Sequence, residues 1–364
     1  MDAESSELSP DGQSVDGRFA PTGSGWRHVL PVQSRGRPGD VRRRCKLVGA
    51  FAFGLLAICV SADAQPPSKT PRIGFLGMDS QMQAQRIAAF RHGLRALGYV
   101  ENQTIVVEYR WAEGRFDRLP ALASELAKLK VDVIVTAAPP SVRAAQRATT
   151  TIPIVMSVHD PIGMGFAASF ARPGGNITGL AFQDSDLSTK RLDLLRELIP
   201  DLARVALLWN QEGGGSTSVQ AVESAARALG LQVLLLEVRE PADFAPAVAK
   251  AKSWGAQAML QHASPFITRH RAMLLPMLSA SRMPATCELR EYVVEGCLMT
   301  YSADINLIFR RMADFVHRIL KGANPAELPI EQPREFELVI NEQTARALGL
   351  TIPPSLRLQA ELIQ

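Results

Sequence analysis

The chain lacks any stretch long and apolar enough to span a bilayer, for which about 20 apolar residues are needed. Its greasiest run, Leu47–Val60, is 14 residues long. Strong charge of one sign is also missing. The formal net charge is +4 for 364 residues, with no clustered basic face of the kind that binds a phosphate backbone, which excludes nucleic acid as a partner. Cysteine is scarce, at four residues, and no Cys/His group has metal-ligand spacing. Motifs of nucleophilic and metal hydrolysis are absent: no G-x-S-x-G, no H-E-x-x-H and no Walker lysine. Carboxylates abound, but no pair is marked out for acid/base work. These absences point away from an enzyme with a resident cofactor.

What is present begins with an export signal. Arg42, Arg43, Arg44 and Lys46 precede the apolar run, and Ala62-Asp63-Ala64 follows it as a small-x-small cleavage site. A buried helix would carry polar residues on one face, and this run has none. The expectation is therefore cleavage after Ala64 and a periplasmic protein, with residues 1–64 a disordered leader plus signal peptide. Residues 1–40 are rich in Gly, Ser, Pro and Arg without apolar periodicity, and export signals start near their basic cluster. Translation is accordingly expected to start near Val41. Removing residues 1–64 changes the net charge only from +4 to +3. It leaves Cys287 and Cys297. An oxidising compartment could join them, but two buried free thiols are the favoured reading.

The remaining chain repeats one order twice. Strand-like "RIGFLG" (72–77), "TIVVEYRW", "VDVIVTAA" (131–138) and "IPIVMSV" (152–158) alternate with helical stretches. In one of these, Leu119, Leu122, Leu126 and Leu129 form a single stripe. The second half runs "RVALLWN" (204–210), "LQVLLLEV" (231–238), "AQAMLQHA" and "MPATCE" (283–288), again with helices between. Strands alternating with helices of this length imply parallel sheets with right-handed crossovers. Apolar runs without alternation suit strands buried on both faces. The expected fold is α/β, with two doubly wound parallel-sheet (Rossmann-like) lobes. Three extended connections, 172–184, 296–305 and "PREFELVIN", serve as passages between them. Lobe 1 is expected at 71–180 and 305–328, and lobe 2 at 181–304 and 329–364.

Ligands of open parallel sheets sit beyond the carboxyl ends of the strands. That rule marks Met78-Asp79-Ser80, Thr136-Ala137-Ala138 and Ser157-Val158-His159-Asp160 in the first half. In the second it marks Asn210, Gln261-His262-Ala263-Ser264, Glu288 and, at a crossing, Tyr301. Each has a plainer role open to it. Ser80 and Ser157 can cap helices, Asp160 before Pro161 can make a turn, and His159 and His262 read as structural histidines. "NQEGGGSTS" (210–218) resembles a dinucleotide-binding turn. However, Ser218 replaces the third glycine, and three residues separate the strand from the first.

Longer segments carry a family resemblance. "FRHGLRALGYVENQTIVVEYRWAEGRFDRLPALASEL", "TIPIVMSVHDPIGMGFAASFARPGGNITGL", "KRLDLLRELIP", "LMTY" and "ILKGANPAELPIEQPREFELVINEQTARALGLTIPPSL" resemble bacterial ABC transporter substrate-binding proteins, in the group related to tryptophan- and tyrosine-binding components. The resemblance implies a type I periplasmic-binding fold: two lobes, a three-segment hinge, and capture of a small polar ligand by closure. It implies no cofactor and no catalysis, a monomer, and an ABC permease with its ATPase as partners. Carried over by position, the ligand-binding residues are Ser80, Thr136, Ala137, Ser157, Asp160, Asn210, Ser264, Glu288 and Tyr301. An amino acid would place its carboxylate on Ser80, Thr136 and Ser157, its ammonium on Asp160 or Glu288, and an aromatic side chain near Tyr301 or Trp209. Relatives commonly have aspartate in place of Ser264 and an aromatic in place of Cys287. A signalling receptor of the same fold and, less readily, a nucleotide-dependent enzyme remain the alternatives.

Overall fold

The computed structural model describes residues 69–364 apart from 182–183, 212–214 and 263; at 184–186 and 215–218 it describes the backbone alone. The leader, the signal, the Val41 start and the cleavage site lie outside the described residues, as do residues 212–214 of the glycine-rich segment 210–218.

Chain order in the first half is β1 (Arg72–Gly77), α1 (Ala84–Ala96), β2 (Val106–Trp111), α2 (Leu119–Lys128), β3 (Val133–Ala137), α3 (Pro139–Ala148), β4 (Ile154–Val158) and β5 (Ile177–Ala181). These strands form one sheet in the order β2-β1-β3-β4-β5. Every pairing is parallel, for example Ile73↔Val133 and Thr136↔Met156. Both faces are covered because successive apolar side chains point to opposite sides. Phe75, Val133, Val135 and Val155 face one core, while Leu76, Ile134, Ile154 and Met156 face another with α2 and α3.

A second sheet follows. Its elements are α4 (Asp184–Leu198), β6 (Arg204–Trp209), α5 (Gly215–Ala228), β7 (Gln232–Glu237), α6 (Phe244–Trp254), β8 (Ala258–Gln261), α7 (Pro265–Arg269), α8 (Arg271–Ser281), β9 (Ala285–Thr286), α9 (Arg290–Val294) and β10 (Met299–Ala303). After α10 (Ile305–Leu320) come β11 (Phe336–Asn341), α11 (Glu342–Leu348), α12 (Pro354–Gln359) and β12 (Glu361–Ile363). The strand order is β12-β11-β10-β9-β8-β6-β7, parallel except for the β10/β11 pair. Val205 and Leu207 face one core, and Ala206 and Leu208 the other. The fold is thus α/β with two mainly parallel, doubly wound sheets. The six-residue run 283–288 forms a ladder only at Ala285 and Thr286.

The amphipathic α10 leaves the second sheet and packs on the first. Its buried face, Ile308, Phe309, Met312, Ala313, Phe315, Val316 and Ile319, joins the Phe75 core. Full burial of a side chain such as Phe309 contributes about 1.5–3 kcal/mol. The Asp304 side chain accepts the amides of Asn306 and Leu307, fixing where α10 starts. Gly93 lets α1 approach α10 closely: a Cβ there would lie 2.6 Å from the Arg310 carbonyl oxygen. Beyond α10 the chain first clips onto β5, with Glu331 N–H donating to the Gly179 carbonyl and Ala181 N–H to that of Glu331. It then reaches β11.

One expectation is corrected. Cys287 and Cys297 are joined in a disulfide, not held as free thiols. Cys287 follows β9 and Cys297 precedes its parallel neighbour β10, so the register Thr286↔Met299 brings their Cα atoms to 6.5 Å, within bridging range. Both are buried in the Phe244 core.

Candidate functional site

A cavity of about 150 Å³ lies where the carboxyl ends of strands from both sheets face one another. The first sheet contributes Met78 and Asp79 after β1, Gln83 and Arg86 at the start of α1, and Gly114 and Phe116 after β2. It also supplies Ala137 to Pro139 between β3 and α3, and Ser157 to His159 after β4. The second sheet contributes Leu187 and Arg191 from α4, Ser264, Thr268 and Arg269 around α7, and Glu288 and Leu289 after β9. Ser302, Ala303, Ile305 and Phe309 line it at the β10–α10 crossing.

The second-sheet wall is held by its own bonds. Arg191 Nη1 lies 3.1 Å from Glu288 Oε1, with both side chains 6 % exposed. Arg191 Nε donates to the Tyr301 carbonyl at 2.9 Å. A buried ion pair of this kind is tolerable because further hydrogen bonds satisfy the charged groups. His262 Nε2 stands 4.0 Å from the same Glu288 oxygen. Ser264 Oγ accepts the Ile267 amide and caps α7, while Tyr292 Oη donates to Thr268 Oγ1 at 2.9 Å. Burial pushes the Tyr292 phenol well above the usual tyrosine range.

On the first-sheet wall, Asp79 Oδ1 accepts the amides of Gln81 and Met82. Ser157 Oγ, Arg86 Nε and Gln83 Oε1 are buried there without a hydrogen-bond partner. Such groups are uncommon in native interiors and call for an explanation. Among the described residues, contacts cross the mouth at Arg269, at Arg86 and between two histidines. Arg269 Nη1 donates to the Gly114 carbonyl at 2.5 Å, Arg86 Nη2 is 3.5 Å from Glu291 Oε1, and the His159 and His262 rings lie 5.9 Å apart.

Of the nine ligand-binding residues carried over by position, Ala137, Ser157, Ser264 and Glu288 line this cavity, as do Met78, Asp79, Ala138 and Val158 from the marked strand tips. Ser80, Thr136, Asp160, Asn210 and Tyr301 lie outside its lining. Thr136 Oγ1 donates to the Leu76 carbonyl and ties β3 to β1. Asp160 Oδ1 accepts the Gly163 amide in a turn, and Asn210 Nδ2 donates to the Val238 carbonyl. The Ser80 amide donates to Glu113 Oε2. The Tyr301 ring stacks on Phe336 and, like Trp209, packs against a core of the second sheet. Arg86, Arg191, Arg269 and Phe309 were missed, because helical arginines and a core-patterned phenylalanine carry no local mark. His159, read as structural, is also at the cavity.

Among the described residues no cluster of His, Cys, Asp and Glu could hold a metal ion, and no helix is long and apolar enough to cross a membrane. A tyrosine-binding protein of Clostridioides difficile (strain R20291) is 23 % identical over 263 residues, covering 72 % of this chain and 75 % of its own. A solved ABC domain in complex with L-Trp from Streptococcus pneumoniae aligns with TM-score 0.76 and 24 % identity, over 81 % of this chain and all of that one. A conserved domain protein from Vibrio cholerae aligns with TM-score 0.77 and 23 % identity over the same shares. The fold is that of type I periplasmic-binding proteins. The family profile described as ABC transporter substrate binding protein matches residues 75–363, and with that extent the chain belongs to this family of extracytoplasmic binding proteins, which serve ABC transporters and are not enzymes.

Proposed function

We propose that this protein captures a small molecule with an apolar body and a polar end in the cavity between its two sheets, closes on it, and presents it to an ABC permease driven by an ATPase. The observation that carries this reading is one cavity walled by strand tips of both sheets, with side chains of each touching the other across the mouth. In this reading residues 71–180 with 305–328 and residues 181–304 with 329–364 move as two bodies, and the three connections between them are the hinge. A ligand touching both walls favours the closed form by its differential affinity for that form. Ala137, Ser157, Ser264 and Glu288 are the ligand contacts retained from the sequence. The protein acts in the periplasm after losing residues 1–64.

Native mass spectrometry of protein purified from its own periplasm, followed by small-angle scattering with and without the recovered cargo, tests the reading. The expected result is a bound small molecule whose return lowers the radius of gyration. A protein that carries no cargo and scatters identically under every ligand overturns it. Capture of an amino acid is a second reading, supported by the tyrosine- and L-Trp-binding relatives.

A further inference from the structure

We infer, resting on the capture reading above, that the ligand is a small apolar monocarboxylate without an α-ammonium group, its carboxylate taken by Arg86 Nε and Ser157 Oγ. Both groups belong to the cavity lining. Ser157 is 2 % exposed, and both atoms lack a hydrogen-bond partner. A buried donor left unmet costs free energy that a bonding guest recovers, and a guanidinium N–H and a hydroxyl lining one cavity are donors that the two oxygens of a carboxylate can accept.

For an ammonium the lining offers one unmet acceptor, the neutral Gln83 Oε1, and no carboxylate that lacks a partner. Of the carboxylates lining the cavity, Asp79 already accepts two backbone amides through Oδ1. Glu288 is compensated by Arg191 at 3.1 Å, so an ammonium at Glu288 would sit beside a like charge. Glu291, at the mouth and outside the cavity lining, is paired with Arg86 through Oε1, while its Oε2 is unmet. A phosphate is disfavoured as well, because its additional charged oxygens would be pressed against the apolar walls. Met82, Phe116, Leu187 and Phe309 supply those walls. The cavity, about 150 Å³, is comparable to an apolar cavity known to hold one benzene ring.

The test uses matched probes in isothermal titration at pH 7: 3-phenylpropanoate, L-phenylalanine and 2-phenylethylamine, then 4-methylpentanoate, L-leucine and 3-methylbutylamine. At least one carboxylate binds, about tenfold or more tighter than its amino acid, and the amines do not bind. Arg86→Gln and Ser157→Ala each weaken that carboxylate by about tenfold or more, with thermal unfolding checking that each variant is folded. The inference is overturned if neither carboxylate binds, if an amino acid binds as tightly as its des-amino partner, or if both folded variants bind as the parent does. Cargo that compacts the protein but carries an ammonium or lacks a carboxylate overturns this inference and leaves capture standing. Absence of cargo together with scattering unchanged by the whole panel overturns capture itself.

Discussion

The polar side chains that line the two walls of the cavity differ in how completely they are satisfied, although Gln261 Oε1, Thr286 Oγ1 and Glu291 Oε2, on the second side but outside the lining, are unmet too. On the second-sheet wall Arg191, Glu288, the Tyr301 carbonyl, Ser264 and Thr268 are bonded within that sheet and its helices. The disulfide lies immediately behind them. On the first-sheet wall Ser157, Arg86 and Gln83 each keep an unmet atom. A satisfied buried network rigidifies its surroundings and is expensive to break. A wall with unmet groups carries that cost itself until a guest bonds to it. Substitutions on the second wall should therefore be read mainly in stability, and those on the first mainly in affinity.

The largest break is at the buried pair. Arg191→Ala or Glu288→Ala strands one charge in a site where both partners are 6 % exposed, and should cost about 3–5 kcal/mol in urea unfolding. The double variant Arg191→Met with Glu288→Leu should recover most of that loss, because it removes both charges and keeps the volume. A single variant that unfolds at the parental midpoint would erase the difference between the walls.

The disulfide comes next. It spans a sequence separation of 10 and encloses both Glu288 and Glu291. Loop-closure entropy for a ring of this size amounts to roughly 3 kcal/mol. The Cys287→Ala, Cys297→Ala double variant should lose about that much in urea unfolding, and reduction should bring the parent towards it. A variant as stable as the parent would mean that the second wall is held without its cross-link.

A smaller effect appears at high pH. The folded state raises the Tyr292 phenol through burial, so it stays protonated where the unfolded chain does not. The stability this gives is complete below the ordinary tyrosine pKa of about 10 and is lost as pH rises past it. Tyr292→Phe should cost about 1 kcal/mol at neutral pH, through the bond to Thr268, and should decline less steeply above pH ~10. Tyr99 and Tyr109 are also raised by burial, so the difference between parent and variant is the quantity to follow.

Most strands were legible because a chain buried on both faces must be continuously apolar: Arg72–Gly77 is the quoted run itself. The C-terminal α12 and β12 were not. Pro353-Pro354 reads as a stop, although proline also suits the first helical position, and Leu358 on that helix is 89 % exposed. The candidate site was legible where small polar residues stand at strand ends, as at Ser157 and Ser264. Thr136 and Asn210 stand at equivalent tips but turn to backbone carbonyls, a choice made by neighbours distant in sequence. Arg191 was invisible for the same reason: its partner Glu288 is 97 residues away, and nothing in "KRLDLLREL" separates it from a solvated arginine.

The finest test lies where the walls meet. Arg269 is exposed on the second side, and its guanidinium donates to the Gly114 carbonyl on the first. Gly114 has φ +71, and a Cβ there would lie 1.6 Å from Arg269 Nη1, so only glycine leaves the guanidinium its place. Arg269→Ala should alter global stability by no more than about 0.5 kcal/mol, as surface substitutions do. If capture works by closure as proposed, it removes a bond that helps to shut the mouth, and the unliganded protein should shift towards the open form and scatter with a larger radius of gyration. Gly114→Ala should move scattering in the same direction, with an added stability cost from its positive φ. If Arg269→Ala leaves both scattering and ligand affinity unchanged, the mouth contributes nothing to closure, and the unmet groups on the first wall must supply the whole of the ligand's preference for the closed form.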